Sequence, residues 1–301
     1  MFIYDLNSHS KRPVLVETPD FSEYHWAPDN SFFIYSRSMS TPKPKDYTHV
    51  IELPARGKSS DIKSALYIVY INRSSEGLSS VTHQLTDFSE DYSQFSISPD
   101  SKKVIIAKYL NDYQVRPYIK MSSKIIDLGT GKISPFLDSN WIRMPFIWSP
   151  DSTAIAFISG PSTFNNMGKN LSKETIPNDY DGQVYHYNIK SKMAKCLTKT
   201  FKPSVNTIFW SSRSILYFKV TDQSYSRLYS YNLQKHRFKK INSLVDYVNH
   251  VDIKQRTAIY SGSSTGRYPK LYINQLGSGS VTVLKDYNQT MFKDVQFGKC
   301  T

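Results

Sequence analysis

The sequence predicts an all-β fold, a β-propeller of four-stranded antiparallel blades. Three observations predict it: a recurring tight turn, a strand pattern repeated around that turn, and an aromatic-rich composition. The turn is (Ser/Ala)-Pro-Asp, at Ala27-Pro28-Asp29, Ser98-Pro99-Asp100 and Ser149-Pro150-Asp151. Tyr occurs 22 times and Phe 16 times in 301 residues, and aromatic side chains favour the pleated, half-buried surface of a strand.

Each repeat opens with an apolar strand ending on an aromatic or aliphatic anchor: Trp26, Ile97, Trp148, Trp210 and Ile253. A tight turn follows, in which proline presets φ and Asp hydrogen-bonds neighbouring backbone. Next comes a strongly hydrophobic strand: "SFFIYS", "KVIIAKY", "AIAFIS", "ILYFKV" and "TAIYSG". A second pair of short alternating strands completes each unit, for example "VYHYNI" with "AKCLT" and "KLYINQL" with "VTVLK". The anchors recur at steps of 43 to 71 residues. Four strands with a period of about 40 to 50 residues form the pattern of a propeller blade, and the longer steps imply insertions. Leu244, Tyr247, Val248 and Val251 fit helical spacing, but Val248-Asn249 aligns with Val205-Asn206 of the preceding repeat, which assigns a strand there.

The chain reads as one propeller domain over residues 1–301, with five full blades and a partial N-terminal one, six in all if the partial blade is completed. Residues 1–20, beginning "MFIYDLNSHSKRPVLVE", read as the last two strands of a blade whose first two are missing. Either the tail "FKDVQF" helps to close the ring or upstream blades have been lost, and loss is the expectation. Two insertions, 41–65 and 160–182, fall between the second and third strands of their blades. In an up-and-down blade that connection emerges beside the link to the next blade, so both are expected on one face, where repeat proteins carry binding loops.

The formal net charge is +13 and the pI about 9.4. This excess attracts anionic surfaces, but its spread along the chain implies no dedicated nucleic-acid groove. The densest cluster, Lys235-His236-Arg237-Phe238-Lys239-Lys240, is expected to be a solvated hairpin turn, with an anion-binding patch as the alternative. Cys196 and Cys300 have no metal or redox spacing and are expected to be plain thiols. No apolar run approaches the roughly 20 residues of a transmembrane helix. Strand-like "MFIYDL" at Met1 leaves no signal peptide in the sequence, and the compartment stays open.

Catalytic patterns are thin. Gly262-Ser263-Ser264-Thr265-Gly266 fits G-x-S-x-G, but a nucleophile elbow needs a strand turning into a helix. Here "RYPKLYINQL" follows, a second strand, and no histidine lies after Gly266. Gly57-Lys58-Ser59 lacks the phosphate-loop glycine five residues earlier, where Glu52 stands. The seven histidines (9, 25, 49, 83, 186, 236 and 250) are scattered; His25 beside Trp26 is expected to be packed or hydrogen-bonded. Glu90-Asp91 reads as a solvated turn rather than an acid–base pair. No catalytic, cofactor or metal residue is assigned.

The Trp148-Ser149-Pro150-Asp151-Ser152 turn, the following "AIAFIS", and "DGQVYHYNIKSKMAKCLTK" resemble repeats of two related groups. One is the TolB-type propeller. The other is the N-terminal β-propeller of the prolyl oligopeptidase family of serine peptidases, including dipeptidyl peptidase IV and acylaminoacyl peptidases. The resemblance runs from about Phe21 to Lys285. Irregular blades, "SGSSTGRYPKLYINQL", and a tail at 286–301 similar to the segment joining propeller to hydrolase favour the peptidase group. It implies a non-catalytic propeller that gates peptide access to a C-terminal α/β-hydrolase domain holding the catalytic Ser, Asp and His, none of which has a counterpart here. The paired-Glu helix of dipeptidyl peptidase IV has none either. The alternative is a stand-alone TolB-like propeller that binds a protein or peptide. The expected partners are thus a peptide substrate, a protein, or the hydrolase domain, without cofactor, specific nucleic acid or membrane span.

Overall fold

The computed structural model describes residues 2–6, 9–14, 21–40, 62–74, 77–92, 94–111, 114, 116, 118–138, 142–172 and 174–298. They fall into two compact units, Met1–Asn140 and Trp141–Thr301.

In the first unit, β1 (Phe2–Asp5) and β2 (Ser10–Pro13) form a two-stranded antiparallel hairpin. A four-stranded antiparallel blade follows, β3 (Phe21–Trp26), β4 (Phe32–Ser40), β5 (Ile62–Ser74) and β6 (Gly77–Gln84), paired in chain order. The next blade is β7 (Gln94–Ile97), β8 (Lys103–Asn111), β9 (Ile119–Asp127) and β10 (Ile133–Pro135). Successive strand residues point to opposite faces, and "FFIY" is buried on both. Phe32 and Ile34 pack with Leu66, Ile68, Val104 and Ile106, whereas Phe33 and Tyr35 pack with Val14, Val69 and Ile71. A strand covered on both sides reads as a continuous apolar run, which is why β4 was legible.

The second unit holds three blades. The first is β11 (Ile142–Trp148), β12 (Ala154–Ser159), β13 (Gln183–Asn188) and β14 (Met193–Cys196). The second is β15 (Ser204–Ser212), β16 (Ile215–Asp222), β17 (Tyr225–Asn232) and β18 (Arg237–Lys240). The third is β19 (Tyr247–Lys254), β20 (Thr257–Ser264), β21 (Arg267–Gln275) and β22 (Ser280–Lys285). All are antiparallel within the blade; one parallel rung, Ser226 to Tyr247, joins the last two into an eight-stranded sheet. Again the second strand serves two cores. Leu216 and Phe218 pack against Ile158, Val184 and Val205, while Tyr217 packs with Val248, Ala258 and Tyr260. The strand assigned over the helical-looking Tyr247–Val251 stretch is β19.

The three (Ser/Ala)-Pro-Asp turns share one geometry. Ser149 N–H donates to the Ala154 carbonyl at 2.8 Å and Ser152 N–H to the Ser149 carbonyl at 2.9 Å. Ser98 with Lys103 and Ser101, and Ala27 with Phe32 and Asn30, repeat both bonds. The residue after Asp is left-handed in each: Asn30 (φ 59), Ser101 (φ 57) and Ser152 (φ 58). Where serine leads, its hydroxyl donates to the Asp carboxylate (Ser98–Asp100 2.6 Å, Ser149–Asp151 2.7 Å) and accepts a backbone N–H from the next strand.

One expectation needs correction. β5 begins at Ile62, so 62–65, expected within the first insertion, are strand. The rest of that insertion, with Gly57-Lys58-Ser59, lies outside the described residues. Between β12 and β13, the 160–182 stretch contains one tight turn, α1 (Thr163–Asn166), whose residues 164–166 are left-handed rather than α-helical.

Candidate functional site

The described residues that the sequence singled out have the following surroundings. Ser264 closes β20 and Arg267 opens β21, so the G-x-S-x-G segment is a hairpin connection and not a strand-to-helix elbow. The Ser264 hydroxyl accepts the Asp246 N–H at 3.1 Å. Glu90 is more than a solvated turn: it pairs with Lys108 at 2.9 Å and Lys124 at 3.4 Å and accepts from the Tyr92 hydroxyl. The Tyr92 hydroxyl and the Lys108 ammonium draw its carboxyl down to about 2, which disqualifies it as a general acid near neutrality. His25 is hydrogen-bonded, Nε2 to Glu23 Oε1 at 2.9 Å, with its ring edge-on to Phe95. Cys196 is a free thiol whose Sγ donates to Gln183 Oε1 at 3.0 Å, and burial raises its pKa. Cys300 lies outside the described residues. The basic run at 235–240 spans the β17–β18 turn and β18, exposed apart from half-buried Phe238. Among the described residues no three His, Cys, Asp or Glu side chains are grouped to hold a metal, and no helix is long and apolar enough to cross a membrane.

The feature that stands out from the blade pattern is the insertion between β12 and β13. It is pinned at both ends. Ser162 N–H donates to Asp179 Oδ1 at 3.0 Å, Arg143 donates to the Tyr180 carbonyl at 2.9 Å, and the Tyr185 hydroxyl donates to the Gly160 carbonyl at 2.8 Å. Gly182 closes it where the backbone meets the next blade: Val205 N–H donates to the Gly182 carbonyl at 2.7 Å, and Gly182 N–H to Ser204 Oγ at 2.8 Å. A Cβ on Gly182 would lie 2.1 Å from the Val205 carbonyl oxygen, so only glycine fits.

Between these anchors the chain turns through three consecutive left-handed residues, Phe164 (φ 53), Asn165 (φ 56) and Asn166 (φ 65). Asparagine tolerates that region; Phe pays about 1–2 kcal/mol. The Phe164 ring offsets the cost by packing edge-on to Phe157 and Tyr185, at 6.2 and 5.7 Å between centroids. The loop then presents Leu171, Ile176 and Tyr180 to solvent, Ile176 at 89% exposure. Beneath it lies a cavity of about 250 Å³, walled by Gly168, Lys169, Leu171, Gln183, Phe201 and Lys202. The loop thus carries exposed apolar side chains over a hollow lined by both apolar and polar groups.

Comparison with known proteins places the fold. No protein-family model and no curated protein matches the sequence. Among solved structures, Pyrococcus horikoshii acylaminoacyl peptidase is similar over 98% of this chain and 43% of its own, with 15% identity and a TM-score of 0.65. TolB from Acinetobacter baumannii is similar over 93% of this chain and 58% of its own, at 16% identity and 0.52. Oligogalacturonate lyase from Vibrio parahaemolyticus matches 95% of this chain and 71% of its own, at 12% identity and 0.61. The chain thus spans less than half the length of the peptidase. It has the β-propeller fold of the propeller-like part of these proteins. A fold shared by a peptidase, TolB and a lyase does not by itself assign chemistry.

Proposed function

We propose that residues 1–301 are the non-catalytic propeller of a prolyl-oligopeptidase-like serine peptidase, gating the access of peptides to an α/β-hydrolase domain outside these residues. The observation that carries this reading is the lopsided match to the acylaminoacyl peptidase: nearly all of this chain against 43% of that one. The resemblance of residues 286–301 to a propeller–hydrolase link, and of "SGSSTGRYPKLYINQL" to late blades of such enzymes, supports it further. In this role the blades are a sieve, and the reacting groups belong to the other domain. A second reading, a stand-alone TolB-like propeller that binds a protein or peptide, is favoured by one observation, the pinned loop at 160–182 with exposed Leu171, Ile176 and Tyr180.

Translation of the reading frame beyond Thr301 tests the first reading. The expected product carries G-x-S-x-G followed by Asp and His within about 250 residues, one domain. Expressed whole, it should cleave short peptides and spare a folded protein of the same cleavage sequence. With residues 1–301 deleted, and active serines counted by titration, the folded protein should become a substrate. No hydrolase segment, or unchanged size selectivity, overturns the gating role.

A further inference from the structure

A second cavity, of about 510 Å³, lies where the last two blades meet, away from the loop at 160–182. Its floor is the link 241–246 that carries the chain from β18 to β19. Its walls are the beginnings of β17 and β21 and the end of β18. Arg227, Lys240 and Arg267 project cations around it, and Asp246 is the carboxylate among its lining residues. Asp222, just beyond, takes Arg227 in an ion pair at 2.8 Å and accepts from the Tyr229 hydroxyl at 3.0 Å. Among the described residues, neither Lys240 nor Arg267 has a carboxylate within 4 Å, although Lys240 is near enough to Asp222 to help hold that carboxyl below its usual range. Arg267 spends one N–H on the Leu244 carbonyl at 3.3 Å, which leaves most of its five donors for a ligand.

The floor is pre-formed. The Tyr260 hydroxyl donates to the Ser243 carbonyl, and Asn274 Nδ2 to the Asn242 carbonyl, at 2.5 and 2.7 Å. Asp246 N–H donates to the Ser263 carbonyl at 3.1 Å, and Ser226 N–H to the Asp246 carbonyl at 3.1 Å. Leu244 is held at φ 57, a left-handed conformation that leucine rarely adopts. Its N–H is fixed by Asn242 Oδ1 at 3.1 Å and its carbonyl by Arg267. Strain of this kind persists where surroundings over-determine the backbone, and it concentrates at ligand sites. A polar hollow of this volume is ligand-sized, and a guanidinium fork beside a lysine suits a carboxylate, which it can grip through two parallel hydrogen bonds.

We infer that this cavity is a carboxylate-binding site for peptides, with Arg267 as the fork and Lys240 as a second cation. The carboxylate comes from an acidic side chain or from a peptide C-terminus. The site does not require a hydrolase domain, so its failure would leave the gating proposal untouched, and the reverse holds as well.

Fluorescence anisotropy with the 301-residue chain tests it, using three labelled peptides of one sequence frame. One has an acidic side chain and an amidated end, one a neutral sequence with a free C-terminus, and one a neutral sequence with an amidated end. At least one carboxylate peptide should bind ten-fold or more tightly than the neutral amide, and which one does so identifies the source. Lys240→Gln and Arg267→Lys should each weaken that peptide about five- to ten-fold, with unchanged near-UV circular dichroism. Lys235→Gln, in the same basic run but at the β17–β18 turn, should not. Equal binding of all three peptides, or a Lys235→Gln loss equal to that of Lys240→Gln, overturns the site in favour of none or of diffuse charge attraction.

Discussion

At one end of a blade, Pro150-Asp151 turns the chain in a few residues, and Pro28-Asp29 and Pro99-Asp100 do the same with the same left-handed residue after Asp. At the other end, the connection between second and third strands varies widely. It is two residues between β16 and β17, and the whole of 160–182 between β12 and β13. At the repeated end, where serine leads the turn, the Ser and Asp side chains spend their hydrogen bonds within the turn itself. The variable end holds both cavities and the strained residues Phe164 and Leu244. Repetition marks what the fold needs; departure from it marks where the blades differ from one another.

The comparison can be broken or sharpened by substitution. The largest effect is expected at the variable end, where two main chains touch. Gly182→Ala pushes a Cβ into the Val205 carbonyl and should cost about 3 kcal/mol, the upper range for overpacking, read as a lowered urea midpoint. At the repeated end, Asp151→Ala removes the acceptor of the Ser149 hydroxyl and of the Thr153 hydroxyl and N–H, at about 2 kcal/mol. Asp29→Ala loses the two bonds from Ser31, with the Ser101 side chain a lesser partner, and should cost about 1 kcal/mol. Equal costs at the two turns would show that the leading serine contributes nothing.

A smaller effect concerns pH. Hydrogen bonds from the Thr153 and Ser149 hydroxyls hold Asp151 at about 2, below its ordinary 3.8, as those of Tyr92 and Lys108 hold Glu90 at about 2, below 4.5. Both folded-state values are depressed, so the stabilisation is complete above about pH 4.5 and is lost as pH falls from there towards 2. Both groups are partly exposed, so solvent screens the gain. The double variant Asp151→Asn, Glu90→Gln should show a flatter acid limb in a plot of urea midpoint against pH; an unchanged slope would assign acid sensitivity to other carboxylates.

The smallest expected effect is a gain. Ala27 occupies the place of Ser98 and Ser149, and Asp29 already stands two residues on. Ala27→Ser should restore the hydroxyl bridge and add about 0.5 kcal/mol, seen as a slightly raised midpoint. A loss instead would mean that the buried Ala27 position has no room for the oxygen.

Blade units, turn positions and the strand at Tyr247–Lys254 were legible because strands buried on both faces leave unbroken apolar runs and because Pro-Asp is a local signal. The hairpin nature of the Ser264 segment was legible for the same reason, through the alternation of "RYPKLYINQL". Other features depend on contacts that no local window contains. The left-handed turn at Phe164 is tolerable only because Phe157 and Tyr185 receive the ring. Glu90 reads as a solvated acid until β8 and β9 bring Lys108 and Lys124 beside it. Arg227, Lys240 and Arg267 sit on three strands of two blades, and only Lys240 lay in a run that composition could flag.

Within the second unit, neighbouring blades meet by main chain on the variable side, at Val205 to Gly182 and at Ser226 to Asp246 and Tyr247. On the Pro-Asp side they meet through side chains, Arg213 to Asp151 at 3.4 Å and the Ser211 hydroxyl to the Gln255 carbonyl. Such a seam has a stiff knuckle and a soft lip: prying two blades apart would swing them about the backbone contacts, parting the lip while the knuckle, with its cavity floor, keeps its shape.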